Sequence, residues 1–137
     1  MVRDIMTTPV YSINMDASVR DAKALFDKRR FHHAVVLHRK RVVGVLSDRD
    51  VLKVVSPFIG NRMMQRSQDL STLKQRIHQI MTRTLVTIDP DATVAEAARK
   101  MLTERVSCLP VVHDDMHAIG ILTIRDFLPW AAGAPEA

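Results

Sequence analysis

The sequence predicts an α/β (α+β) fold assembled from two copies of one β-α-β-β-α unit. The first observation behind this is an internal repeat. Ile5-Met6-Thr7 returns as Ile80-Met81-Thr82, Asp16-Ala17 as Asp91-Ala92, and Val19, Ala22 and His38 as Val94, Ala97 and His113, all at a shift of 75 residues. One residue is then gained in a turn, and Gly44-Val45-Leu46-Ser47-Asp48-Arg49-Asp50 aligns with Gly120-Ile121-Leu122-Thr123-Ile124-Arg125-Asp126 at a shift of 76. The second is the alternation, in each copy, of short β-branched runs with segments of helical spacing. The third is a pair of strand-length apolar runs joined by a charged turn, again in each copy. Two related surfaces in one chain make clefts between them natural ligand sites.

Each element follows from local chemistry. Val10 to Ile13 comes after the Thr8-Pro9 break and reads as a short strand. A helix starts after Ser18, which has capping-box spacing to Asp21, as Thr93 has to Glu96. Val19, Ala22, Leu25 and Phe26 form one apolar stripe, and Val94, Ala97, Met101 and Leu102 form the other. Ala34 to Leu37 and Val42 to Leu46 make a hairpin around Arg39-Lys40-Arg41; Leu109 to Val112 and Ala118 to Leu122 make its counterpart around Asp114-Asp115. Such continuous apolar runs belong to strands covered on both faces. A second helix starts after Ser47 and after Thr123, with Pro57 and Pro129 marking or disrupting its end. The spacing therefore predicts repeats over residues 2–57 and 77–130, a connector over 58–76 and a frayed tail over 131–137. Within the connector and beyond it, Arg62 to Gln79 reads as a linking helix, with Leu70, Leu73, Ile77 and Ile80 at helical spacing.

Composition narrows the function classes. A chain of 137 residues buries roughly 68% of its unfolded surface, whereas one half alone would be marginal, so the halves are expected to fold together. No apolar run reaches membrane-spanning length, and Met1-Val2-Arg3-Asp4 has no secretion-signal character. The lone Cys108 cannot form an intrachain disulfide, reads as a packed thiol, and fits a reducing cytoplasm. A net charge of +5 favours anionic partners in general, but aromatics make up only 4%, too few for a single-strand nucleic-acid surface. Nothing matches a Ser-His-Asp set, a P-loop or a dinucleotide glycine fingerprint, so no enzyme is expected. His113, Asp114, Asp115 and His117 cluster in a hairpin turn and read as solvated, not as metal ligands.

Ser47-x-x-Asp50 and Thr123-x-x-Asp126 carry the chemistry. Each hydroxyl ends a strand, and each acid follows one helical turn later. A carboxylate there can accept both hydroxyls of a ribose, and free amides tolerate a nearby phosphate. Arg49 and Arg125 could supply a countercharge. The same spacing also describes a capping box. Both readings stand, and they can coexist if capping uses the hydroxyl oxygen and leaves the acid free.

Taken in order and twice, Ile-Met-Thr, the hydrophobic-Pro-Val-Val strand and Gly-hydrophobic-hydrophobic-Ser/Thr-x-x-Asp resemble the cystathionine β-synthase (CBS) domain, and the pair resembles a Bateman module. The resemblance covers about residues 2–130 and implies two repeats packed sheet to sheet with pseudo-twofold symmetry around two clefts. It implies adenosine-containing ligands there: AMP, ADP, ATP or S-adenosylmethionine. Asp50 and Asp126 take the place of the ribose-binding acid, with Ser47 and Thr123 beside them. Val106, Ser107 and Cys108 are expected to face Asp50, with Thr82 completing that cleft. Phe31, His32 and His33 are expected to face Asp126, with Thr7. Repeat one departs from the pattern where Ala34-Val35 replaces the Leu109-Pro110 of repeat two.

The expected function is a non-catalytic, cytoplasmic regulatory module, a homodimer needing no cofactor beyond its adenosyl ligand and signalling to a separate protein. An interaction scaffold with empty clefts is the first alternative; a nucleic-acid binder is the second.

Overall fold

The computed structural model describes residues 1–29, 31–55 and 72–133. In chain order its elements are helix α1 (Val2–Ile5), strand β1 (Ser12–Asn14), α2 (Val19–Lys28), β2 (His33–His38), β3 (Arg41–Ser47), α3 (Asp48–Val54), α4 (Ile77–Ile80), α5 (Val94–Glu104), β4 (Cys108–His113), β5 (His117–Thr123) and α6 (Phe127–Ala131). Short 3-10 turns, Asp114–Met116 and Ile124–Asp126, precede β5 and α6. No helix among the described residues is long and apolar enough to cross a membrane.

Packing divides the chain into two compact units that cut across the sequence repeats. One holds Tyr11–Arg39 and the described residues from Val43 to Thr84; the other holds Met1–Val10, Lys40–Val42 and the described residues from Leu85 onward. Each Ile-Met-Thr motif thus belongs to the unit built on the other repeat.

In the first-repeat unit the sheet order is β1-β2-β3, with β1 parallel to β2 and Ile13 opposite Val36. Parallel neighbours need a crossover, and α2 supplies it. Its cap is the one expected: the Asp21 amide donates to Ser18 Oγ and the Ser18 amide returns to Asp21 Oδ2, both at 3.2 Å. Val19 and Ala22 bury fully and pack with Val36, Leu46, Val51, Leu73 and Ile77.

The second-repeat unit pairs β4 with β5 antiparallel, Leu109 opposite Leu122. Thr93 and Glu96 close the same kind of cap on α5, each bond 3.0 Å long. Its core joins Val2 of α1 to Ile88, Ala97, Met101, Leu109, Val111 and Leu122.

Several expectations are corrected. The opening strand of repeat one begins two residues late, at Ser12. In repeat two it shrinks to a single parallel bridge, Ile88 to Val111. The reason is local: the Met15 amide donates to the Leu37 carbonyl at 2.9 Å, whereas Pro90 at the matching place has no N–H. Leu102 does not join the apolar stripe of α5; it is 79% exposed. Pro129 does not end α6, because it lies in the first turn where its missing N–H has no helical partner anyway.

The linking helix is broken at residues 73–76. There the carbonyls of Gln75 and Leu73 accept from the amides of Val19 and Arg20, at 2.8 and 3.0 Å. These amides are orphan donors of the first turn of α2. The rest of the expected connector, through residue 71, lies outside the described residues, as do Pro57 and residues 134–137 of the tail.

Candidate functional site

The first-repeat acid stands at the junction of β3 and α3. Ser47 is extended (φ −106°, ψ 160°) and ends the strand, so its hydroxyl caps the helix. The Asp50 amide donates to Ser47 Oγ at 3.1 Å, and the Ser47 amide donates to Asp50 Oδ2 at 2.9 Å. The acid is therefore not free of the cap, contrary to expectation: one of its oxygens is a member of it. Both groups are half-buried.

A second contact anchors the same helix start. The Asp48 amide donates to the His32 carbonyl at 3.0 Å, and His32 Nδ1 lies 2.8 Å from Asp48 Oδ2. Asp48 is a site residue that sequence reasoning missed, since repeat two has Ile124 in its place and offers no matching signal. His32 is 67% exposed and Asp48 34%, so the pair orients more than it stabilises. His33, next along, is half-buried, and burial holds its imidazole below the ordinary range; Asp48 and Asp50 act the other way, and His32 and Arg49 add to the lowering. Thr82 meets this unit through its backbone, exchanging bonds of 3.0 and 3.3 Å with Val45.

The second-repeat acid differs. The Thr123 amide donates to Asp126 Oδ2 at 2.8 Å, and the Thr123 hydroxyl approaches the same oxygen at 3.3 Å. The Thr7 hydroxyl donates to the other oxygen, Oδ1, at 2.7 Å. Thr7 is held in place by backbone bonds to Ile121 of 2.8 and 3.1 Å. The Ile124 amide donates to the Ser107 carbonyl at 3.3 Å. Cys108 is buried, and desolvation first, then the Asp126 carboxylate, pushes its thiol up to about 12. A thiol held neutral in this way packs; it does not attack.

Within each unit, then, the segments 31–33 and 106–108 lie beside the helix start of their own repeat. Arg49 and Arg125 are exposed and form no ion pair among the described residues. No His, Cys, Asp or Glu group among the described residues is arranged to hold a metal ion. A cavity of about 460 Å³ opens in the first-repeat unit, lined by Phe26, Phe31, Val51 and Leu52 together with the polar Lys23, Asp27, His32 and Asp48. It does not include Ser47 or Asp50.

The repeated Met and Gly have one explanation. A Cβ on Gly44 would stand 2.8 Å from both the Met81 sulfur and the Thr82 carbonyl oxygen, and one on Gly120 would stand 2.5 Å from the Met6 sulfur. Each Met-Thr step lies directly against a hairpin glycine, and this brings each threonine beside a strand that ends in Ser47 or Thr123.

The CBS domain model matches residues 2–57 and 77–133. The uncharacterized protein MJ1426 of Methanocaldococcus jannaschii is 28% identical over 93% of this chain and 89% of its own length. Other relatives are longer: the chain spans 23% of a homoserine O-acetyltransferase of Methanohalobium evestigatum, at 28% identity. Among solved structures, the CBS domain pair of protein MJ0100, in complex with 5′-methylthioadenosine and S-adenosyl-L-methionine, superposes with a TM-score of 0.77 at 25% identity, covering 98% of both chains. CBSX2 in complex with AMP gives a TM-score of 0.75 at 27% identity, covering 96% of both. The chain belongs to the CBS domain family and carries two CBS repeats.

Proposed function

We propose that this CBS pair is a non-catalytic regulatory module that binds an adenosine-containing ligand reversibly, with Asp50 and Asp126 as ribose acceptors. The observation that carries this reading is the pair of half-buried carboxylates at matched helix starts, in a chain whose structural neighbours hold AMP, 5′-methylthioadenosine and S-adenosylmethionine. Asp50 suits the role because its Oδ1 accepts no hydrogen bond among the described residues. Ser47 and Thr123 place the acids. Arg49 and Arg125 are the candidates to meet a phosphate, and Phe31 to His33 and Val106 to Cys108 to border the nucleoside. Residues 2–57 and 77–130 act as the repeats, joined by 58–76, in a cytoplasmic protein.

A ligand shifts a conformational equilibrium only by its differential affinity for two states. The module would report that shift to a separate protein, and as a homodimer, for which the exposed Leu52, Leu128 and Trp130 supply apolar surface. Sedimentation of the purified chain tests the dimer. Calorimetric titration with AMP, ADP, ATP, 5′-methylthioadenosine and S-adenosylmethionine tests the ligand: at least one binds, and binding weakens in Asp50→Ala. No heat and no thermal shift with any of them removes the proposal.

The scaffold reading keeps one specific support, the engagement of both acids in caps. For a scaffold, Asp50→Ala costs only the cap, roughly 0.5–2 kcal/mol of stability.

A further inference from the structure

The two acids match in sequence and differ in occupancy. Asp50 gives Oδ2 to the Ser47 amide and keeps Oδ1 without a donor among the described residues. Asp126 gives Oδ2 to Thr123 and Oδ1 to the Thr7 hydroxyl. The threonine hydroxyl stands 2.7 Å from that oxygen and takes one of its acceptor sites, so a ribose hydroxyl has to share the oxygen with it or displace it. Its main chain is tied to Ile121 by two backbone bonds, so the hydroxyl leaves the acid most readily by rotating about its own side-chain bond. Thr82 has the matching backbone bonds to Val45, yet no hydrogen bond joins its side chain to Asp50. The helix starts differ as well: α3 begins directly after Ser47, whereas Thr123 leads into a tighter 3-10 turn that ends on Asp126.

We infer that Thr7 is an intramolecular competitor for the ribose at Asp126, so that the pair fills in order: Asp50 first, and Asp126 only when the Thr7 hydroxyl rotates away. The inference rests on the reading of both acids as ribose acceptors and assigns them unequal roles. Asp50 is the standing receptor. Asp126 answers only at higher ligand concentration, which widens the range over which one module responds. Displacing a hydroxyl from a carboxylate forfeits one charge-assisted hydrogen bond, so the second site is weaker by roughly tenfold or more.

The test titrates 5′-methylthioadenosine, which lacks a phosphate, into the full chain and single-site variants. Asp126→Ala leaves the Asp50 site and is expected to bind near the tighter wild-type affinity. Asp50→Ala leaves the Asp126 site and is expected to bind about tenfold more weakly. Adding Thr7→Val to Asp50→Ala removes the competitor without changing side-chain shape and should recover most of that tenfold, while Thr7→Ser, which keeps the hydroxyl, should not. Thr7→Ala serves the same purpose if the valine variant does not fold. An unchanged or weakened site after Thr7→Val, with Asp126→Ala still binding, overturns the inference alone: a weakened site makes Thr7 a ligand contact instead. Absence of binding to the wild-type chain overturns the ribose reading and this inference together.

Discussion

Around Asp50 the extra restraint falls on the neighbour: His32 holds Asp48, and the acid keeps one open oxygen. Around Asp126 the restraint falls on the acid itself, through Thr7. One backbone bond is shared, from residue 48 or 124 to the segment before the hairpin. Both copies keep the strand-to-helix junction and this bond, while the opening strand, the tightness of the helix start and a few side chains diverged. Asp48 became possible where Ile124 is not an acceptor, and one threonine hydroxyl found a carboxylate where its counterpart did not.

The sharpest way to break this comparison is at the glycines. Gly44→Ala would drive a methyl group onto the Thr82 carbonyl as well as the Met81 sulfur, whereas Gly120→Ala meets mainly the flexible Met6 side chain, with the Thr7 carbonyl at 3.2 Å. A thioether can move aside more easily than backbone. Urea unfolding should show a loss of about 2–3 kcal/mol for Gly44→Ala and about 1 kcal/mol for Gly120→Ala. Equal losses would mean that the two Met-Gly contacts are interchangeable.

Next in size is the cap. Ser47→Ala removes the acceptor of the Asp50 amide and should cost about 1 kcal/mol in thermal or chemical unfolding. If Asp50 is also the standing receptor, the same substitution lets the acid drift and weakens 5′-methylthioadenosine binding. A variant that loses stability and keeps full affinity would detach the cap from the site.

The smallest effect is a contrast in pH response. His33 and Cys108 occupy matching positions, 75 residues apart. Burial holds the His33 imidazole below its unfolded value of 6.5, so the unfolded chain binds the proton first. That contribution is complete above 6.5 and is lost as pH falls from there toward the folded value. Cys108 works at the other end: its thiol is raised from 9.0 to about 12, so stability falls as pH rises above 9, where the unfolded thiol ionises. Unfolding measured at pH 5, 7 and 10 should show the acid loss shrink in His33→Gln and the alkaline loss shrink in Cys108→Ala. Slopes that ignore both substitutions would place the titration elsewhere.

Much of the fold is legible in particular residues. Ser18, Ser47 and Thr93 each start a helix where their spacing to an acid says they should. The hairpins run over the expected apolar stretches with an extra residue at each end. What spacing misses is what the tertiary structure demands of the backbone. Residues 73–76 have helical propensity, but their carbonyls are needed by the first turn of α2. Leu102 has the right spacing for the core and lies outside it. At the site, Ser47, Asp50, Thr123 and Asp126 are readable as a recurring pattern. Asp48 is not, because its partner His32 is 16 residues away and repeat two has no counterpart.

By itself the sequence determined the two copies, their caps and hairpins, and the matched acids, since each is written within one helical turn or one strand pair. Tertiary structure decided the remainder. It placed each Ile-Met-Thr motif in the unit of the other repeat, and it brought the Thr7 hydroxyl to a carboxylate 119 residues away. Local signals act through covalent neighbours and hydrogen bonds a few residues long. Which distant hydroxyl reaches which acid depends on packing to within an ångström, and two nearly identical motifs can settle it differently.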